Sequence, residues 1–295
     1  MALLDDIKFQ FKTGNILMQL IYINGGIFIT MMLLQVLFFL IGNEAIYTQI
    51  VNIFSVPASP SKLLFRPWSI LTHMFFHDGF LHILFNMMWF HFGGTIFLNF
   101  LDSKKLLSTF ILGGLSGAIL FILLMNLVPR FAPMVDGTTA LGASAAVLAI
   151  MVAAATTVPN YVVRLVLIGP VKLKYIAIVS VVLDVLLIPN GNAGGHFGHL
   201  GGALFGFVFA SQLQRGNDLT VDFLKPLYLI RNGFPKREKK IKVVHSKPKS
   251  DYEYNANKAS AQEQIDTILE KIKRSGYDSL SKKEKEVLFK ASKDI

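Results

Sequence analysis

Cysteine is absent from the 295 residues. No disulfide framework, thiol nucleophile or thiolate metal site can therefore be built. Charge is scarce as well, and unevenly so: residues 17–41, 106–128 and 141–158 contain no Asp, Glu, Lys or Arg. With 25 Phe and a mean hydropathy of +0.50, the chain holds more apolar surface than one soluble core can absorb. About 20 uncharged residues in a helix cross a hydrocarbon layer of about 30 Å, so these three blocks predict membrane spans. Residues 77–101, 173–188 and 197–213 are also apolar but are interrupted by His, Asp or several Gly. They bring the expected count to six.

Other absences narrow the chemistry. The pattern His-Glu-x-x-His of a helix-borne metalloprotease does not occur. Asp184 is the one carboxylate well inside an expected span, whereas an aspartyl protease in the membrane needs two. Asp184 is read as capping a water pocket or pairing with Lys174. No internal repeat suggests a transporter built from two related halves. Residues 1–14 place Asp5 and Asp6 beside Lys8 and Lys12, unlike a purely basic leader. The apolar block that follows is too long for a cleaved signal peptide and should remain as an anchor.

Sidedness follows from the cations. With a cytoplasmic N-terminus and six spans, Lys8, Lys12, Lys104, Lys105, Arg164, Lys172 and Lys174 fall inside and only Lys62, Arg66 and Arg130 fall outside. That is the positive-inside bias. Spans two, four and six then all begin on the outer side, where His82, Asn86, Ser144 and His199 share a similar depth.

These residues permit acyl-transfer chemistry. A serine hydroxyl needs a neighbouring base, and histidine titrates in the useful range. Ser144 and His199 can supply that pair. Asn86 and His82, four residues apart and thus on one helix face, could donate to an oxyanion. Gly198, Gly202 and Gly206 recur every fourth residue, a smooth strip against which the small residues of span four, Gly142, Ala143, Ala145, Ala146 and Ala149, can pack closely.

Each residue also has a plainer reading. A Gly-x-Ser in a helix is usually a packing serine, and a glycine strip is usually only a helix contact. An ionisable residue inside a span is costly, which makes His199 a functional candidate in its own right. His196 is a rival base one turn nearer water. His73 and His77 read as ordinary residues of the membrane boundary, and His91 as a helix contact.

Taken together, the motifs resemble the rhomboid intramembrane serine proteases over residues 16–215. His82-Ile83-Leu84-Phe85-Asn86 matches the family's His-x-x-x-Asn on the second span, with Trp68 in the preceding outer loop. Gly142-Ala143-Ser144-Ala145 matches Gly-x-Ser-x on the fourth, and Gly198-His199 with Gly202 and Gly206 matches the sixth. The resemblance implies an all-α, polytopic bundle of six transmembrane helices around a water-accessible cavity. It also implies a Ser144–His199 dyad without an acid, and an oxyanion hole of Asn86, His82 and the Ser144 N–H. Substrates would be transmembrane helices entering sideways near span five. No cofactor or metal is implied. The expected partners are transmembrane protein substrates and the lipid bilayer, and the expected location is a bacterial cytoplasmic membrane with both termini cytoplasmic. Three positions depart from the family pattern: Ala145 follows the serine where glycine is usual, Ser69 follows Trp68 where arginine is frequent, and Leu148 stands where many members carry a tyrosine under the histidine.

From Arg215 onward the chain holds 19 of its 29 Lys and Arg and 12 of its 19 Asp and Glu. The expected organisation is a cytoplasmic segment over 1–16, a membrane core over 17–215, a basic linker over 216–260 and a helical hairpin over 261–295. Residues 232–259 read as solvated chain, and their run Lys236-Arg237-Glu238-Lys239-Lys240 would be drawn to anionic lipid. Ile265, Ile268, Leu269 and Ile272 have helical spacing and end at Gly276, and Ser281 with Glu284 forms a capping box for a second helix. The hairpin resembles a small C-terminal domain of some bacterial rhomboids. No nucleic-acid motif accompanies the basic charge. An inactive relative that binds transmembrane helices is the alternative to a protease.

Overall fold

The structure, a computed structural model, describes residues 2–166, 168–220, 223 and 251–291. Two compact units divide the chain, Met1–Phe234 and Pro235–Ile295, and each is described by itself.

The first unit is a helical bundle whose element boundaries follow from caps and glycines. Helix α1 (Ala2–Thr13) precedes α2 (Ile16–Leu40), which Asn15 caps by accepting the Met18 N–H at 3.1 Å. Three short helices follow, α3 (Glu44–Phe54), α4 (Pro60–Phe65) and α5 (Ser69–Thr72). Helix α6 (Phe80–Phe100) starts just after Gly79, whose φ of 107° only glycine adopts freely. Asp102 caps α7 (Ser103–Leu127) through the Lys105 N–H at 2.9 Å. Then come α8 (Ser144–Thr157), α9 (Leu173–Leu187) and α10 (Ala193–Gln214), the last capped by Asn192.

Four of these helices are long and apolar enough to cross a membrane: α2, α6, α7 and α9 with its 3-10 extension to Asn190. Helix α8 lies at the centre, with Ala145 to Val147 and Ala149 to Ala155 buried, and is packed by α6, α7, α9 and α10. The chain is an all-α, multi-pass membrane bundle. Lipid tails are as apolar as leucine, so close packing holds it, and small residues permit that packing. A Cβ on Gly113 of α7 would stand 2.4 Å from Ala149 Cβ of α8, and one on Gly94 of α6 would stand 2.6 Å from Leu17 of α2. Phe90, Phe97, Phe110, Phe121 and Phe209 are fully buried between the helices.

One end of the bundle gathers the C-terminal ends of α6, α8 and α10 with the start of α7. Phe100 meets Tyr161 at 5.9 Å, Gln214 donates to the Thr156 carbonyl at 3.0 Å, and Lys105 approaches Asp218 at 3.4 Å. The opposite end holds α4 and two paired strands, β1 (Val56–Pro57) and β2 (Thr139–Ala140). A hairpin of β3 (Val162–Leu165) and β4 (Gly169–Lys172) joins α8 to α9.

Three expectations need correction. The fourth span does not begin at Leu141. The helix in that place, α8, begins at Ser144 and is 14 residues long, about 21 Å and shorter than the four helices named above, because the backbone turns at Gly142. The second begins at Phe80 and not at His77, because Gly79 breaks the helix there. In the second unit, α11 (Asp251–Ser275) starts inside the stretch read as linker. Once the apolar stripe nucleates a helix, adding residues such as Ala259, Lys258, Ala256 and Glu253 costs little.

The second unit holds a helical hairpin. Helix α11 ends at Gly276 (φ 80°), and α12 (Lys282–Ala291) opens with the capping box: Glu284 accepts the Ser281 N–H at 2.7 Å and the Glu284 N–H reaches Ser281 Oγ at 3.4 Å. Ile268 and Leu280 are its buried apolar residues, and Lys271 pairs with Glu284 at 2.8 Å. The run from Lys236 to Lys240 lies outside the described residues.

Candidate active site

Ser144 is the first residue of α8, and the segment that leads to it is held on both sides. Ala58 N–H donates to Thr138 O at 2.9 Å next to the β1–β2 pair. Gly142 N–H donates to His73 O at 2.9 Å, and Ala143 N–H donates to His77 Nε2 at 3.4 Å. Gly142 has φ 121°, which swings the chain into the helix. No side chain caps α8, so its first N–H groups point at the space around Ser144 with the positive end of the helix dipole.

His199 is carried on α10, which packs closely on α8. Its Nε2 lies 2.6 Å from Ser144 Oγ, and its Nδ1 lies 2.7 Å from Asp184 Oδ1 on α9. His196, one turn earlier on α10, reaches the same Asp184 oxygen through Nδ1 at 2.8 Å. Asp184 therefore does not pair with Lys174, whose ammonium sits 5.2 Å above the Tyr175 ring. Among the described residues, Asp184, His196 and His199 are the one set with ligand atoms close enough to share a metal ion, within 4.8 Å of one another. Such an ion would take the lone pairs and carboxylate now used in these hydrogen bonds.

Across the site, His82 and Asn86 sit on the first two turns of α6. Asp78 N–H donates to His82 Nδ1 at 3.3 Å. That assigns the ring proton of neutral His82 to Nε2, the nitrogen 2.8 Å from where a Cβ on Gly142 would stand. Asn86 is 7% exposed and spends one amide proton on His82 O at 2.9 Å, which leaves the other available.

Ser144, His199, His82, Asn86 and Asp184 all line one open cavity of about 460 Å³. Its other walls are apolar: Leu81, Phe85 and Trp89 from α6, and Val147, Leu148 and Met151 from α8. Ser180 and Asp184 form the α9 side. Leu148 thus shares the cavity wall with His199.

The four glycines expected in helix packing separate into three roles. Gly202 and Gly206 do face α8, where Cβ atoms would stand 2.0 Å from Ala145 O and 2.2 Å from Ala149 O. Gly198 faces α7 instead, with Gly117 O 3.9 Å from its would-be Cβ. Gly142 is a turn residue ahead of the helix and not a packing glycine.

His73 and His77 have a role here that their place in the sequence does not reveal. They are 4% and 8% exposed, and the His73 carbonyl and the His77 imidazole hold the backbone before Ser144. Burial pushes His73 down to about 4, and burial with the neighbouring His82 pushes His77 down to about 3, so both stay neutral. Their spacing of four residues, just ahead of Gly79, was the available signal. Asp184 stands out in the sequence as a lone carboxylate, but nothing there points to His196 and His199 as its partners.

Comparison with known proteins adds two matches. A family model described as Rhomboid domain matches residues 65–215. Another, described as a family of unknown function (DUF6576), matches residues 249–294. No curated protein matches the chain.

Proposed function

Since the chain belongs to the rhomboid family, we propose that it is an intramembrane serine endopeptidase that cuts transmembrane-helix substrates near the outer face of the membrane. One observation carries this reading: Ser144 Oγ lies 2.6 Å from His199 Nε2 in the wall of an open cavity. In the attack, the Ser144 proton passes to Nε2 as Oγ bonds to the substrate carbonyl carbon. The oxyanion that forms would be met by His82 Nε2–H, the free amide proton of Asn86 and the Ser144 N–H at the start of α8. His199 then returns its proton to the leaving nitrogen as the C–N bond breaks, and a water repeats the sequence on the acyl-enzyme.

The apolar walls from α6 and α8 suit an unwound stretch of a transmembrane helix, and since α6 and α9 both line the cavity, the substrate would enter from lipid between them. The cation-rich end of the bundle, with Lys104, Lys105, Arg164, Lys172 and Lys174, supports cytoplasmic termini, against Lys62, Arg66 and Arg130 in the segments at the other. In this reading residues 17–215 are the protease, and the hairpin of α11 and α12 is a cytoplasmic appendage. A bacterial cytoplasmic membrane is the location that fits.

The test is cleavage of a reporter with a helix-destabilised transmembrane segment by the purified protein in detergent. Wild type should cleave, Ser144→Ala and His199→Ala should not, and a fluorophosphonate should label Ser144. A folded wild type that neither cleaves nor is labelled would point to a relative that only binds helices.

A further inference from the structure

Asp184 bonds through one oxygen to the Nδ1 of His199, whose other nitrogen bonds Ser144. The distances along this line are 2.7 and 2.6 Å. We propose that Asp184 is a positioning residue for the hydrolysis and that the site works as a Ser144–His199–Asp184 relay rather than as a dyad. The inference rests on the protease reading of Ser144 and His199.

The argument begins with what a carboxylate can do. An ionised carboxylate only accepts hydrogen bonds, so the 2.7 Å contact requires the proton of neutral His199 to sit on Nδ1. Nε2 is then a bare lone pair, and it is the nitrogen that faces the Ser144 hydroxyl. The tautomer that can act as a base is thus selected by Asp184. An imidazole without such a partner could equally place its proton on Nε2, where it would oppose the Ser144 proton.

Asp184 is itself fixed. It is 8% exposed, stands on α9 while His199 stands on α10, and accepts His196 Nδ1–H at 2.8 Å on the same oxygen. Two imidazole donors on one oxygen anchor the carboxylate and limit its rotation. When Nε2 takes the Ser144 proton, the imidazolium carries protons on both nitrogens, and the one on Nδ1 faces a negative charge. Asp184 does not take that proton. It stabilises the charged ring until Nε2 gives its proton to the leaving amine.

Substitution of Asp184 separates this role from mere packing. Asp184→Asn keeps the shape and removes the charge. With the reporter assay, kcat should fall by about a hundredfold or more while KM changes little. Selective nitrogen-15 labelling of histidine, with His199 assigned from His199→Ala, should show His199 protonated at Nδ1 in wild type and that preference lost in Asp184→Asn. Asp184→Glu, which restores the charge one methylene further out, should recover part of the lost kcat and serves as well if the Asn variant unfolds. An Asp184→Asn enzyme with wild-type kcat and an unchanged His199 tautomer would overturn the relay and leave the protease reading intact. A wild type that neither cleaves nor reacts with a fluorophosphonate at Ser144 would overturn both.

Discussion

Gly202 of α10 lies so close to Ala145 of α8 that a Cβ on it would stand 2.0 Å from the Ala145 carbonyl oxygen. The obstacle is backbone, which cannot rotate away as a side chain can. Ala145 follows Ser144 and Gly202 lies one turn after His199, so this contact sets the approach of the two helices beside their reactive groups.

Gly202→Ala should force the helices apart. A loss of about 1–3 kcal/mol or more is expected for such overpacking, and activity should fall with it. Gly198→Ala is the contrast: its nearest neighbour would be 3.9 Å away, an ordinary contact. Thermal unfolding in detergent should show a much lower midpoint for Gly202→Ala and little change for Gly198→Ala. Equal destabilisation would contradict the division of the glycine strip between α8 and α7.

The sequence made the bundle visible because a span needs only length and freedom from charge, and both can be counted. Ser144, His199, His82 and Asn86 were visible through short motifs, and the Ser281–Glu284 box through its spacing. What stayed hidden depends on contacts between distant segments. Asp184 reaches His199 only because the chain reverses at Gly191, whose φ of 110° allows the turn. The start of α8 depends on the turn at Gly142, which the distant His73 carbonyl and His77 imidazole help to hold. Two-residue strands such as β1 and β2 are too short for any alternation to register.

His77 should matter beyond its own packing. Its Nε2 accepts the Ala143 N–H at 3.4 Å, next to the serine. Replacement by alanine would leave that buried N–H without its acceptor, a cost of about 1–3 kcal/mol. His77→Ala should lower both the unfolding midpoint and the rate of fluorophosphonate labelling at Ser144. An unchanged labelling rate would show that the segment before α8 keeps its shape without this bond.

The hairpin should respond to acid. Hydrogen bonds from Lys271 and from Ser281 hold the Glu284 carboxyl at about 2, below its ordinary value. A lowered folded value means that the stabilising effect is full above about 4.3, the unfolded value, and disappears as pH falls through about 2. Amide hydrogen exchange over Lys282–Ala291 should therefore quicken as pH falls through that window, after correction for intrinsic rates. Glu284→Gln should remove the dependence, and high salt should weaken it because the pair is exposed.

Gly142 should tolerate no side chain at all. Its φ of 121° lies where residues with a Cβ are strained, and that Cβ would also stand 2.8 Å from His82 Nε2. The two effects differ in kind. Backbone strain of about 1–3 kcal/mol would act on the turn that delivers Ser144 to α8, whereas the steric contact would displace His82 from its place in the cavity wall. A second change can separate them: His82→Ala removes the imidazole and so the contact, but not the strain. If strain dominates, Gly142→Ala should lower the unfolding midpoint equally in the wild-type and His82→Ala backgrounds. If the contact dominates, the midpoint loss should shrink in the His82→Ala background. Both effects together predict a partial reduction, and a Gly142→Ala enzyme with wild-type kcat and stability would contradict the backbone turn on which the position of Ser144 depends.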